Sequence, residues 1–222
     1  PLARWVIDDW EDNTTMSEPL GLNPHGLVDE DLWFSRGGMV FQANLQNPIR
    51  AYLRRGEARA AIRNLYNNFV SCYYPAVNVF TEEYRQWRSP SGPFYKIPDE
   101  AKFVHRLRDM ILTEYNDDLL LAVATPERWL APGQEIVVRN APTQYGPMSY
   151  TLRGGTGVVE GTVELPQRNP YRNAWLTVRA PGGGKIASVT VNGKPWSDVD
   201  AARSRIRLPK SKTRIEVVVK IR

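Results

Sequence analysis

The sequence predicts an α+β chain of two domains, in which a helical region precedes an antiparallel β-sandwich. In the first half, apolar residues recur with the period of an amphipathic helix, most clearly at residues 57–70. In the second half, apolar and polar residues alternate, which is typical of half-buried strands. The alternation is strongest at Ile215–Ile221. We therefore expect a helical region at residues 1–125 and a β-sandwich at residues 126–222.

The helical pattern is divided by breaker residues. Helices are predicted at 39–54, at 57–70 and from Asp99 to about Thr113. Asn47-Pro48 is expected to break or kink the first helix, and Asp99 to cap the third. Residues 73–98 form a long connection rich in aromatic residues, proline and serine, and loops of this length in a compact domain are usually functional.

Turn residues separate the segments of alternating pattern. Strands are predicted at 119–124, 135–139, 148–152, 158–165, 175–180, 186–191, 205–208 and 215–221. Asn192-Gly193 predicts a type I′ hairpin turn. Short strands at this spacing are typical of a β-sandwich. Three helices cannot cover their own apolar faces, so we expect the helical region to be the end of a longer helical domain.

Charge and composition exclude several classes of function. Residues 130–222 carry 15 Lys and Arg against 6 Asp and Glu, but these lie on alternating strand positions rather than in one stripe, which predicts no nucleic-acid partner. No apolar run approaches the roughly 20 residues that span a bilayer, so no membrane span is predicted. Cys72 is the only cysteine, which excludes an internal disulfide and a cysteine zinc site. His25 and His105 lack a second ligand at metal-binding spacing, so no metal is predicted.

The first candidate site residues lie near the start of the chain. Residues 5–13 contain two tryptophans and four carboxylates. Indole rings stack on sugar rings, and carboxylates hydrogen-bond sugar hydroxyls. The candidate substrate-binding residues are Trp5, Asp8, Asp9, Trp10 and, after a second acidic cluster at 29–31, Trp33. The alternatives are a polar loop anchored by tryptophan and acidic residues that complement a helix dipole.

The most suggestive segment is residues 73–87. Adjacent carboxylates, Glu82 and Glu83, follow a predicted helix and have Tyr74, Tyr84 and Trp87 around them in sequence. Aromatic walls desolvate a carboxylate and raise its pKa, which suits a general acid. Glu82 and Glu83 are therefore the candidate catalytic residues, and the three aromatic residues are candidates for substrate binding. A surface or structural acidic pair is the alternative.

A series of motifs in the second half resembles a known group of enzymes. It begins with Asp-Leu-Leu-Leu-Ala-Val-Ala-Thr at 118–125 and Pro-Glu-Arg-Trp-Leu-Ala-Pro-Gly at 126–133. It continues with Ile-Val-Val-Arg-Asn-Ala-Pro-Thr-Gln-Tyr-Gly at 136–146 and Ile-Ala-Ser-Val-Thr-Val-Asn-Gly-Lys at 186–194. The series resembles the C-terminal end of bacterial six-hairpin glycosidases, the group that includes α-L-rhamnosidase-like and α-L-fucosidase-like enzymes. The motifs are architectural rather than catalytic.

The resemblance implies a fold and an activity. The helices would be the last hairpins of an (α/α) toroid, and the protein would be a periplasmic or extracellular glycoside hydrolase acting on oligo- or polysaccharide without a cofactor. The two carboxyl groups of an inverting enzyme lie roughly 6.5–9.5 Å apart, with room for a water between them. Adjacent Glu82 and Glu83 are not expected to form this pair, because one of them would point away. The second carboxylate is therefore expected at 8–12 or upstream. The implied partners are the carbohydrate substrate and a missing upstream part of the same protein or another subunit. Any export signal would precede Pro1.

Two other functions stay open at this point. The chain could be a non-catalytic module that binds carbohydrate or another protein. It could also be a polysaccharide lyase, in which Tyr73 or Tyr74 would supply the base and Arg85 would neutralise the charge of a uronate.

Overall fold

The structure is a computed structural model that describes residues 47–74, 77–80, 83–86, 89–91, 97–168 and 170–222. The chain divides into two compact units, Pro1–Met110 and Ile111–Arg222. We call these the helical unit and the sandwich unit.

Helices of the helical unit follow the predicted periodicity, with shifted ends. The described α-helices are α1 Asn47–Arg55, α2 Ala58–Cys72 and α3 Ile97–Ile111, whose last residue belongs to the sandwich unit. Pro48 lies in the first turn of α1, where a proline fits because no N–H is needed at that position. Residues 39–46 of the predicted first helix lie outside the described residues, so the predicted break or kink at Asn47-Pro48 stays a prediction. Gly56, with φ of +77°, ends α1. There the Glu57 N–H donates to the Tyr52 carbonyl at 2.8 Å, as in a Schellman motif.

Short strands and an aromatic cluster join the helices of this unit. Strand β1 Tyr73–Tyr74 pairs with β2 Val79–Phe80, and β3 Glu83–Gln86 pairs with β4 Ser89–Ser91, both antiparallel. The rings of Phe69 and Tyr73 lie 4.7 Å apart, and those of Phe80 and Phe103 lie 4.6 Å apart. Offset stacked rings of this kind bring α2, α3 and the β1–β2 pair together.

The predicted toroid is not shown by the part of the chain that the structure describes. Its three α-helices and two small strand pairs do not form a ring of helical hairpins. The third helix also ends two residues before the predicted Thr113, because the chain turns into a strand at Leu112. That strand was not predicted.

The sandwich unit contains two sheets. The five-stranded sheet has the order β13-β14-β10-β6-β5. Its strands are β5 Leu112–Tyr115, β6 Asp118–Leu121, β10 Asn173–Thr177, β13 Val199–Asp200 and β14 Arg205–Arg207. The six-stranded sheet has the order β12-β11-β15-β9-β8-β7. Its strands are β7 Glu135–Ala141, β8 Met148–Gly155, β9 Val158–Glu164, β11 Ile186–Val191, β12 Lys194–Pro195 and β15 Ile215–Ile221.

The strand pairing confirms the predicted β-sandwich and refines it. All pairs within the two sheets are antiparallel except β6 with β10, which run parallel with Leu120 opposite Trp175. The hairpin between β11 and β12 turns at Asn192 and Gly193, both with positive φ, as predicted for type I′. The sandwich unit begins earlier than the predicted boundary between 125 and 126, because β5 and β6 belong to the five-stranded sheet.

The core lies between the two sheets. In β15, Ile215, Val217 and Val219 are buried while the residues between them face outward, which is the predicted alternation. Other inward-facing residues are Leu119, Leu121, Leu152, Val159, Val163, Leu176 and Ile206. Fully burying one such side chain stabilises the fold by about 1.5–3 kcal/mol, so this shared core is the main stabilising feature of the unit.

One tyrosine within this core keeps its hydroxyl paired. The Tyr150 hydroxyl donates to the Ile111 carbonyl at 2.9 Å, where α3 ends. Burial raises the pKa of Tyr150 well above its usual value, so the phenol stays neutral and remains a donor.

The motif at 126–133 connects β6 of the five-stranded sheet to β7 of the six-stranded sheet. Glu127–Leu130 is a 3-10 turn, and the Leu130 side chain is buried in the core. The Glu127 carboxylate contacts the Arg179 guanidinium at 3.4 Å and accepts from the Gly183 N–H at 3.2 Å. The turn lies directly against β8, because a Cβ built on Gly154 would lie 2.0 Å from the Leu130 carbonyl oxygen. In the sandwich unit, this motif connects the two sheets and packs Leu130 into the core between them.

We expect Gly154→Ala to destabilise the protein by about 3 kcal/mol or more, because the new methyl group would collide with backbone that cannot rotate away. The measurement is the free energy of unfolding in urea. Gly157→Ala is the control: its Cβ would meet only the Ile221 carbonyl oxygen at 3.9 Å, so only the strain of its positive φ, about 1 kcal/mol, is expected. Equal losses in the two variants would contradict the close approach.

Candidate functional site

Most of the predicted site residues lie outside the described residues. These are Trp5, Asp8, Asp9, Trp10, Trp33, Glu82 and Trp87. The backbone of Tyr74 lies in β1, and the backbones of Glu83 and Tyr84 lie in β3. The side chains of these three residues are also outside the description, so their predicted roles stay predictions.

The described part of the chain has a groove on the outer face of the six-stranded sheet. Its volume is about 320 Å³. Its lining residues are Thr151, Arg153, Glu160, Gly161, Thr162, Arg214, Glu216, Val217 and Val218. We call this the outer groove. Strand alternation creates it, because the neighbours of the lining side chains along β8, β9 and β15 point into the core.

Strand register places the polar groups of the outer groove in rows. Thr151 lies opposite Thr162, and Thr162 lies opposite Glu216 on the next strand. In the neighbouring row, Arg153 lies opposite Glu160. Short threonine side chains beside long charged ones produce a depression that runs across the strands.

Several of these groups are available to a ligand. Arg153 donates to Glu135 at 3.0 Å at one end of its row. Glu160, Arg214 and Glu216 form no ion pair within the described residues. The two threonine side chains are half-buried, and the charged side chains are exposed. The outer groove therefore offers hydroxyl, carboxylate and guanidinium groups on one open surface.

The outer face of the five-stranded sheet is different, because its charges pair with one another. The Asp118 carboxylate accepts from Arg172 at 3.0 Å and from Asn173 at 2.8 Å. At the other edge, Arg205 lies 3.0 Å from Asp200. The Arg205 guanidinium also lies over the Trp175 ring, 4.2 Å from its centroid, as a cation–π pair. This face satisfies its own polar groups, and one face of its indole is already covered.

Hydrogen bonds control the titration of Asp118. Burial alone would raise its pKa, but the donors of Arg172 and Asn173 favour the ionised carboxylate and hold the pKa below its ordinary value. The group therefore stays charged across the physiological range and is unsuited to act as a general acid.

A buried carboxylate, Asp109 of α3, is the most enclosed charge in the described part of the helical unit. Its side chain is 1% exposed and lies 2.8 Å from the Arg106 guanidinium, which is 3% exposed. Arg50 of α1 reaches the same carboxylate at 3.1 Å. A buried charge is tolerated only when it is paired, so this cluster fixes α3 to α1.

His105 lies 3.7 Å from Asp109, and burial lowers the pKa of its imidazole although the carboxylate opposes that shift. The imidazole therefore favours its neutral form near neutral pH. No cluster of three potential metal ligands occurs among the residues with described positions. None of the described helices is both long enough and apolar enough to cross a bilayer.

Sequence reasoning did not identify the outer groove. The signal was present in the alternation of β8 and β9, which puts two threonines on the outward positions of neighbouring strands. The alternation alone is not sufficient to find the groove, however, because only the pairing of Thr151 with Thr162 shows that the two hydroxyls share one row.

Comparison with known proteins gives matches in solved structures only. No protein-family model matches the chain, and no curated protein matches it. A GH31 dextranase from Flavobacterium johnsoniae, complexed with isomaltotriose, is similar over 46% of this chain and 16% of its own, with 13% identity and a TM-score of 0.33. A protein described as a glycoside hydrolase is similar over 82% of this chain and 32% of its own, with 13% identity and a TM-score of 0.43.

Both neighbours are glycoside hydrolases by description, and neither description names a six-hairpin enzyme. The chain spans less than a third of the length of either one. The expected membership of the six-hairpin group is therefore not shown, and the similarity is confined to a partial, low-identity likeness to glycoside hydrolases.

We expect Asp118→Asn to lower stability at neutral pH by on the order of 1 kcal/mol, because it removes the charged acceptor of an exposed arginine. The folded pKa is below 3.8, so this stabilisation is complete above that pH and is lost as the pH falls through the lower folded pKa. Unfolding temperatures of the two proteins between pH 7 and pH 2 should therefore converge in acid. A constant difference across this range would show that the charge of Asp118 is not responsible. Glu164→Gln serves as the control for loss of an exposed carboxylate.

Proposed function

We propose that this chain is the C-terminal part of a glycoside hydrolase, in which the sandwich unit is an accessory domain and two carboxylates outside it cleave the glycosidic bond. The observation that carries the proposal is the placement of the motifs that resemble glycosidases. The motif at 118–125 contains β6, the motif at 126–133 contains the buried 3-10 turn, and the motif at 136–146 contains most of β7. These consecutive segments connect the two sheets inside the sandwich unit, close to its first residues. The resemblance places such motifs near the point where a glycosidase passes into its C-terminal β domain.

The carboxylates of the sandwich unit support placing the chemistry elsewhere. Partial burial alone would raise the pKa of Asp118 and of Asp200, but hydrogen bonds from arginine hold both pKa values below the ordinary value, so neither carboxylate suits a proton donor. Glu160 and Glu216 are exposed on an open sheet face. A catalytic carboxylate acts in a concave site that encloses the reacting bond, and an open sheet face does not provide one.

We assign the acid–base chemistry to Glu82 or Glu83 together with a second carboxylate from 8–12 or from upstream residues. Tyr74, Tyr84 and Trp87 would stack on the substrate near these carboxylates. Trp5, Asp8, Asp9, Trp10 and Trp33 would bind further sugar units. The protein would act on glycans in the periplasm or outside the cell.

Sugar release by the full protein tests this proposal, measured on a panel of oligo- and polysaccharides for the variants Glu82→Gln, Glu83→Gln and the double substitution. We expect one single variant to lose about 10²–10⁴-fold of the rate, because general acid–base catalysis contributes that much. Glu164→Gln, an exposed carboxylate on β9, is the control and should keep full activity.

Each alternative has its own signature in that experiment. Release that persists in the double variant would move the catalytic carboxylates away from 82–83. Absence of release from every glycan would contradict a glycosidase. An increase in ultraviolet absorbance from an unsaturated product would identify a lyase instead.

A further inference from the structure

We infer that the outer groove of the six-stranded sheet binds an uncharged oligosaccharide, as a site separate from the catalytic carboxylates. The inference rests on the proposed function, since it assumes that the protein acts on glycans. It concerns Thr151, Thr162 and the charged side chains beside them, to which no role has been assigned above.

The shape of the outer groove suits an extended chain. Thr151 and Thr162 form a shallow floor, with Arg153 and Glu160 along one side. On β15, Glu216 extends the floor row and Arg214 lies directly before the strand. The volume of about 320 Å³ is at the lower end of the range of roughly 300–1,000 Å³ for small-molecule sites. One or a few sugar units of a longer chain would therefore be held there.

The chemistry of the outer groove favours a neutral ligand with many hydroxyls. Its lining contains two guanidinium and two carboxylate groups, so an anionic or a cationic ligand would meet like charge on some side. A sugar hydroxyl both donates and accepts hydrogen bonds, and it can therefore use carboxylates, guanidinium groups and threonine hydroxyls together. Hydrogen bonds to charged groups are stronger than those between neutral ones.

The outer faces of the two sheets differ in whether their charged groups are paired, and this difference distinguishes the outer groove from an ordinary solvated face. On the five-stranded sheet, Asp118, Asp200 and Trp175 are already engaged by arginines. In the outer groove, Glu160, Arg214 and Glu216 have no ion-pair partner in the described part of the chain. The groove thus keeps polar groups available where the other face uses them internally.

Among the residues that the structure describes, the lining of the outer groove contains no aromatic side chain. Recognition there would rely on hydrogen bonds rather than on stacking, which gives weak binding to one sugar unit. Affinity should therefore rise with chain length as more units contact the floor and its charged side. Such a site would hold a long polysaccharide on the protein rather than select its reactive bond.

The test is binding of uncharged oligosaccharides of two to six units to the full protein, measured by calorimetry and by NMR chemical-shift changes. Thr151→Val with Thr162→Val removes both hydroxyls while keeping side-chain shape and strand preference. We expect affinity to fall about tenfold or more, the equivalent of one or two lost hydrogen bonds. Glu160→Gln with Glu216→Gln is the second variant and should also weaken binding. Ser188→Ala, on the same face but outside the groove, is the matched control.

Several results would overturn the inference. These are unchanged affinity in both double variants, absence of binding by every uncharged oligosaccharide, and tighter binding of an acidic oligosaccharide that Arg214→Gln abolishes. Circular dichroism and thermal unfolding of each variant distinguish lost binding from lost folding.

Sugar release from a short soluble substrate separates this inference from the proposed function. That release is measured on the unsubstituted protein, and groove-dependent binding is measured on the groove variants. Release without groove-dependent binding would overturn only the inference. Groove-dependent binding without release from any glycan would support the site and contradict the glycosidase.

Discussion

Each sheet of the sandwich unit has one apolar face, and neither sheet can remove that face from water without the other. This constraint explains most of the described structure after residue 110. It requires strict alternation along β8, β9 and β15, since a shift of one residue would expose the whole set. The chain passes between the two sheets several times. The 3-10 turn at Glu127–Leu130 makes one such passage, and Gly154 gives its backbone room to lie against β8.

The outward faces of the two sheets carry the polar and charged side chains, and these side chains are arranged differently on each sheet. On the five-stranded sheet, Asp118 and Asp200 pair with arginines and Arg205 covers one face of Trp175, so these groups are already engaged within the protein. In the outer groove of the six-stranded sheet, Glu160 and Glu216 have no ion-pair partner among the residues that the structure describes. The sandwich unit thus combines one face whose charges pair with each other and one face whose charges are open to a ligand, which is compatible with the accessory role proposed for it.

Much of the sandwich could be predicted from sequence, because its pattern has period two and its turns contain Asn-Gly, Pro and Gly. Residues 215–221 and 186–191 were predicted with the bounds that the structure has. Strand β5 was missed because it has only four residues and no glycine or proline separates it from α3, so only pairing with β6 distinguishes strand from helix there. The outer groove was missed because residues far apart in sequence form it, and strand order is needed to bring them together.

The place of β6 in its sheet has a practical consequence for anyone who divides this chain. It is the parallel neighbour of β10, and with β5 it covers one side of that strand. A fragment that starts at residue 126 would leave the backbone groups of β10 unpaired on that side and would uncover the core where Leu119 and Leu121 had been. An open edge beside exposed apolar surface recruits other chains. Autonomous expression of the β domain therefore has its natural starting point before Leu112, at the end of α3.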